Sequence, residues 1–129
     1  MAKTPETHIT DTELEILSLL WQKGSASVKD VHQVLRAERD TGYTTTLKQM
    51  QQMHEKGLLS RDDTLRQHIY KPAIAQEKVQ HRFMDRMMKV LFNDSASDLI
   101  LQALGQYKAT AGELDQIVAL IEKHKSGQK

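Results

Sequence analysis

Apolar positions first fall into a helical rhythm at Leu14, Leu17, Leu20 and Trp21, behind Thr10 and Glu13 at capping-box spacing. Lys23-Gly24 ends that helix, since glycine accepts the left-handed backbone found past a helix terminus. Ser27 is placed to cap a second helix with Val28, Val31 and Leu35 facing inward, and Gly42 marks the next turn. A third helix is predicted from about Thr44 to Lys56, carrying Leu47, Met50, Met53 and His54 on one face and stopping at Gly57. Past Gly57 the period changes. Leu58–Arg61 and Gln67–Lys71 read as short strands around the polar loop Asp62–Arg66, with Asp62-Asp63 in the turn and Pro72 ending the hairpin.

From Ile74 onward the helical period returns. Val79, Phe83, Met87, Val90 and Leu91 make one stripe, widened by Met84, Met88 and Phe92, until Asn93-Asp94-Ser95 interrupts it. A fifth helix carries Leu99, Ile100, Ala103, Leu104 and Tyr107, and a sixth, capped near Thr110, carries Leu114, Ile117, Val118, Leu120 and Ile121. The fold class that follows is mainly α. Three helices plus a β-hairpin wing make a winged helix-turn-helix over residues 1–73, followed by a three-helix region over 74–129. The later helices carry more apolar surface than an isolated appendage can leave in water, and a second copy of the chain is the expected cover. Phe83, Met87, Leu91, Phe92, Leu99, Ile100, Leu104, Leu114, Ile117 and Ile121 are the candidate dimerisation residues.

The third helix opens on three consecutive hydroxyls, Thr44, Thr45 and Thr46, after Tyr43 and before Lys48 and Gln49. One cap needs only one threonine; the bland account of the other two is exposed filler. In a helix-turn-helix with a wing, the same row suits double-stranded DNA. Free N–H groups and the dipole at a helix N-terminus favour phosphate, and Lys and Gln reach base edges. Thr44 is expected as the cap, Thr45 and Thr46 against phosphate or a thymine methyl, and Lys48 and Gln49 against bases or phosphate. Tyr43 is a candidate backbone contact, and Arg61 and Arg66 are wing contacts. Ser27 is read first as a cap and second as a phosphate ligand at the start of the second helix.

Charge tempers this picture. The chain of 129 residues has net charge +1, and residues 1–73 hold ten basic against ten acidic side chains. Any basic footprint is therefore local: Lys48, Lys56 and Arg61 against Glu55 between Tyr43 and Arg61. Asp62 and Asp63 would repel phosphate if they pointed at it. This balance keeps an alternative open, a winged-helix module that docks a protein and never reads DNA. With 39% hydrophobic and 27% charged residues the composition is that of an ordinary globular chain. Cysteine is absent, which excludes disulfides and thiolate metal sites and suits a reducing cytoplasm. The six histidines form no close ligand pair, and no apolar run reaches bilayer length. Without a nucleophile–base pair, carboxylate pair or phosphate loop, neither an enzyme nor a cofactor is expected.

Several phrases of the chain resemble the penicillinase-repressor (BlaI/MecI/CopY) family of bacterial regulators. They are Ile9-Thr10 through Trp21, Tyr43-Thr44-Thr45-Thr46, Lys56-Gly57-Leu58-Leu59, Tyr70-Lys71-Pro72, Leu91-Phe92 with Ser95, and Leu99-Ile100-Leu101. The resemblance implies a homodimeric repressor on a palindromic operator, released through a membrane sensor protease or by copper at a cysteine motif. The copper motif is missing here, and Gln102-Ala103 stands where the family has its Asn-Phe cleavage pair.

Overall fold

The computed structural model describes residues 8–127. Helix α1 spans Asp11–Lys23, and its start is a reciprocal box. The Thr10 hydroxyl accepts the Glu13 N–H at 3.2 Å while the Glu13 carboxylate accepts the Thr10 N–H at 3.0 Å. Its end is Gly24, at φ +89°, where the amide donates to the Leu20 carbonyl at 2.7 Å. A two-residue strand, β1 (Ala26–Ser27), leads into α2 (Val28–Glu38). Ser27 caps α2 by accepting the Asp30 N–H, and Asp30 returns the bond to the Ser27 N–H. Each such cap contributes about 1 kcal/mol.

Helix α3 covers Tyr43–Glu55 and ends in a Schellman turn. Gly57, at φ +85°, donates to the His54 carbonyl, and the Leu58 amide reaches back to Met53 at 2.9 Å. Strands β2 (Leu59–Asp62) and β3 (Ile69–Pro72) form the wing. The sheet is antiparallel in the order β1-β3-β2, with Tyr70 opposite both Ala26 and Arg61 and Pro72 opposite Leu59. The hairpin is present as expected but its strands are shifted, with Asp62 paired in β2 rather than in the turn and Pro72 paired in β3; β1 has no signature in the sequence, because two residues cannot display an alternation.

Ile16, Leu17 and Leu20 of α1, Val31 and Leu35 of α2, and Met50 and Met53 of α3 share one core with Leu58, Leu59 and Tyr70. The chain divides into two compact units, Met1–His81 and Arg82–Lys129. The first thus runs past the expected boundary after residue 73. Ile74 and Val79 are buried, and the Trp21 indole donates to the Ile74 carbonyl at 3.0 Å, so apolar burial continues beyond the wing.

Helix α4 (Gln76–Val90) starts in the first unit and ends in the second. Asn93 and Asp94 follow it at φ +50° and +61°, a left-handed pair that these two residue types tolerate best after glycine. Ser95 then caps α5 (Ala96–Gln106), and Thr110 and Glu113 form a capping box for α6 (Ala111–Gly127). Among the described residues of the second unit no side chain is buried. Leu91, Ile100, Leu104, Leu114 and Ile121 are exposed, while Phe83, Met87, Phe92, Leu99 and Ile117 are half-covered. No helix of the described residues is long and apolar enough to cross a membrane.

Candidate nucleic-acid interface

Gly42 occupies the cap position of α3 and offers no side-chain bond, so the N–H groups of the first turn keep no side-chain partner. The expectation that Thr44 caps the helix is therefore corrected. The helix starts one residue earlier than the sequence suggested, at Tyr43, which puts Thr44 inside the first turn. Thr44, Thr45 and Lys48 are exposed, Tyr43 is exposed on α3 as well, and Gln49 is half-buried.

Two expected contacts are turned inward. Thr46 is only 2% exposed, with its hydroxyl 3.5 Å from both His32 Nδ1 and the Gly42 carbonyl. It cannot reach phosphate or a thymine methyl, because it lies on the face of Met50 and Met53. Ser27 is likewise 2% exposed and committed to its cap, which removes it as a phosphate ligand. His32, unassigned in the sequence, meets the Tyr43 ring edge-on at 5.7 Å and so supports the start of α3 from behind.

The local basic footprint also changes. Lys56 donates to both oxygens of Glu13 at 2.8 and 2.9 Å and to the His8 carbonyl at 3.4 Å. Burial opposes the charge on Glu13, but the Lys56 ammonium and the Thr10 N–H outweigh it and hold the carboxyl below its ordinary value. Lys56 is thus a strut between α3 and α1. Arg61 is held by Asp63, through Nε at 2.6 Å and Nη2 at 3.4 Å. Neither bond was legible in the sequence: Glu13 reads there as a cap partner, and the wing loop shows no fixed register. Lys48 and Arg66 remain exposed without a carboxylate in ion-pair range among the described residues.

Arg66 belongs to a groove of about 400 Å³ between α3 and the wing, lined by Val28, Tyr43, Leu47, Arg66, Gln67, His68 and Tyr70. At the wing tip, Asp62 Oδ1 accepts the Thr64 N–H at 2.9 Å and its hydroxyl at 2.6 Å, which fixes the turn and lowers the Asp62 carboxyl. The groove thus sets Tyr43 and Leu47 of α3 opposite Arg66 of the wing, while Lys48 stands exposed on the next turn of the same helix.

A helix pair whose second member is flanked by an antiparallel hairpin defines a winged-helix protein, here continued by three C-terminal helices. The sequence profile of the penicillinase repressor matches residues 9–123, and the chain belongs to that family. The penicillinase repressor of Bacillus licheniformis is 24% identical over 133 residues, which takes in 100% of this chain and 99% of that protein. The transcriptional regulator BlaI of Mycobacterium tuberculosis is 33% identical over 76 residues, 57% of this chain and 54% of its own length. In three dimensions the chain is similar to the solution structure of the DNA-binding domain of the repressor BlaI. The TM-score is 0.51 at 26% identity, over 59% of this chain and 90% of that one. These relatives are named as repressors and regulators, not as enzymes.

Proposed function

We propose that this chain is a transcriptional repressor that binds a palindromic operator as a homodimer, reading the major groove with the start of α3. The observation that carries the reading is the uncapped first turn of α3, with Thr44, Thr45 and Lys48 exposed and Arg66 across the groove. Amide dipoles at the start of α3 and the exposed cations Lys48 and Arg66 suit a phosphate backbone, and Lys48 with Gln49 suits base edges. Tyr43 meets His32 edge-to-face and stays exposed, which suits contact with the DNA backbone. The name of the Bacillus licheniformis relative, which aligns along the whole chain, supports repression. Dimerisation through α4, α5 and α6 rests on their uncovered apolar side chains. Twofold symmetry then places half-site centres about 34 Å or a multiple apart. A membrane sensor protease is the input the family implies, with Gln102-Ala103 exposed on α5 at the position of the cleavage pair.

A protein-docking winged helix is the second reading, favoured by the zero charge balance of residues 1–73 and by the ties of Lys56 and Arg61 to carboxylates. Salt separates the two. Two heads making roughly 6–10 phosphate contacts lose about a thousandfold or more in affinity for upstream promoter DNA across a fourfold salt increase, read by fluorescence anisotropy. Binding with a flat salt response, or none, favours protein docking.

A further inference from the structure

We infer that Asp63 is a built-in counter-ion that competes with DNA phosphate for Arg61, so that the chain itself limits how tightly its wing grips a duplex. This rests on the DNA-binding reading above. The Asp63 carboxylate meets the Arg61 guanidinium with both oxygens, the geometry a phosphate would offer to the same fork. The two side chains keep 54% and 23% of their surface in water. Arg61 is half-buried, but its partner carboxylate is exposed, and an ion pair reached by water on one side is weak enough to exchange partners. It also lies at the rim of the groove: the oxygen that binds Arg61 Nε is 3.6 Å from Nδ1 of His68, and His68 lines the groove beside Arg66 and Tyr43.

The neighbouring carboxylate has a different task. Asp62 is occupied by the Thr64 N–H and hydroxyl and holds the turn, with no arginine on it. Two adjacent acids on one loop are thus separable, one shaping the wing and the other restraining a cation. Arg66 meets phosphate at once, whereas Arg61 does so only after leaving Asp63. Phosphate contacts carry no sequence information, so holding Arg61 back lowers non-specific binding more than it lowers operator preference.

The test uses the full chain with a short random-sequence duplex and with promoter DNA, in a salt titration. Asp63→Asn removes the charge and leaves a side chain of the same size. It is expected to tighten random-sequence binding roughly three- to tenfold near 0.1 M salt and to steepen the log–log salt slope by about 0.9 for each wing engaged. Promoter binding should tighten by a similar factor, leaving the ratio of promoter to random affinity within about twofold of the wild type. Asp62→Asn, an equal charge loss one residue away, should produce a smaller gain with no new slope, and adding Arg61→Gln to Asp63→Asn should abolish the gain. An equal gain from Asp62→Asn, an unchanged slope in Asp63→Asn, or a gain that survives Arg61→Gln each overturns the proposal. Should Asp63→Asn unfold, Asp63→Ser carries the same expectations. A wild-type chain that binds no duplex overturns the DNA-binding reading as well; a wild type that binds, with Asp63→Asn unaltered, overturns this inference alone.

Discussion

Thr44, Thr45 and Thr46 are consecutive and chemically identical, yet the helix turns them to different surroundings. Thr46 stands four residues before Met50 and seven before Met53, the spacing of one helix face, and that face is the core. The arithmetic was present in the sequence. It is easily masked, because a short polar side chain does not announce burial as an isoleucine would. Lys48 lies off that stripe and stays in water. Thr46→Val should therefore leave promoter affinity within about twofold and stability within about 1 kcal/mol, since its hydroxyl's partners at 3.5 Å are long. Lys48→Ala should weaken binding about three- to tenfold and flatten the salt slope by about 0.9. Anisotropy titrations of the two variants side by side check the contrast, and equal losses would contradict the assignment of faces.

Elements were legible where local chemistry starts and stops them. The box at Thr10, the cap at Ser27, the glycine stops at Gly24 and Gly57, and the presence of a hairpin all follow the expected pattern. Long-range ties were not legible, because nothing local distinguishes a lysine that faces DNA from one that braces a helix. Glu13 and Lys56 show the difference. Glu13 serves the cap of α1 and the end of α3 at once, with its side chain 5% exposed and Lys56 26% exposed. Its folded-state pKa is depressed, so the stability it contributes is present above the unfolded value near 4.3 and is lost as pH falls through the lower folded value. Glu13→Gln should cost about 1–2 kcal/mol at neutral pH, less than a fully buried pair because Lys56 can rehydrate. Urea unfolding at pH 7 and below pH 4 measures this. The gap between variant and wild type should narrow in acid; a gap that stays constant would refute the ion-pair account.

At the scale of the whole molecule, the sequence conveys quantity and leaves arrangement open. Apolar stripes on the last three helices were countable from their spacing, but spacing does not say what covers Leu91, Ile100 or Leu104, which are exposed. A second unit in which none of the described residues is buried is too thin to be stable alone, which is why a twin copy is the expected cover. If the proposed dimer uses α5, Leu104→Asp should sediment as a monomer at micromolar concentration where the wild type sediments as a dimer. It should also weaken promoter binding by about 100-fold, because each head then loses the effective concentration its partner supplied. A variant that still sediments as a dimer would move the interface off α5. The division after His81 belongs to the same lesson: a sequence pattern marks where the wing ends, whereas burial of Val79 decides where the first core ends.

Leu58 joins the stop of α3 to the start of the wing without a spare residue: its amide answers to Met53, and its carbonyl takes the Ala73 N–H at 2.8 Å. Helix and hairpin are in effect geared together. One fully buried residue thus couples the two, and Leu58→Ala is expected to loosen the end of α3 and the base of the wing together.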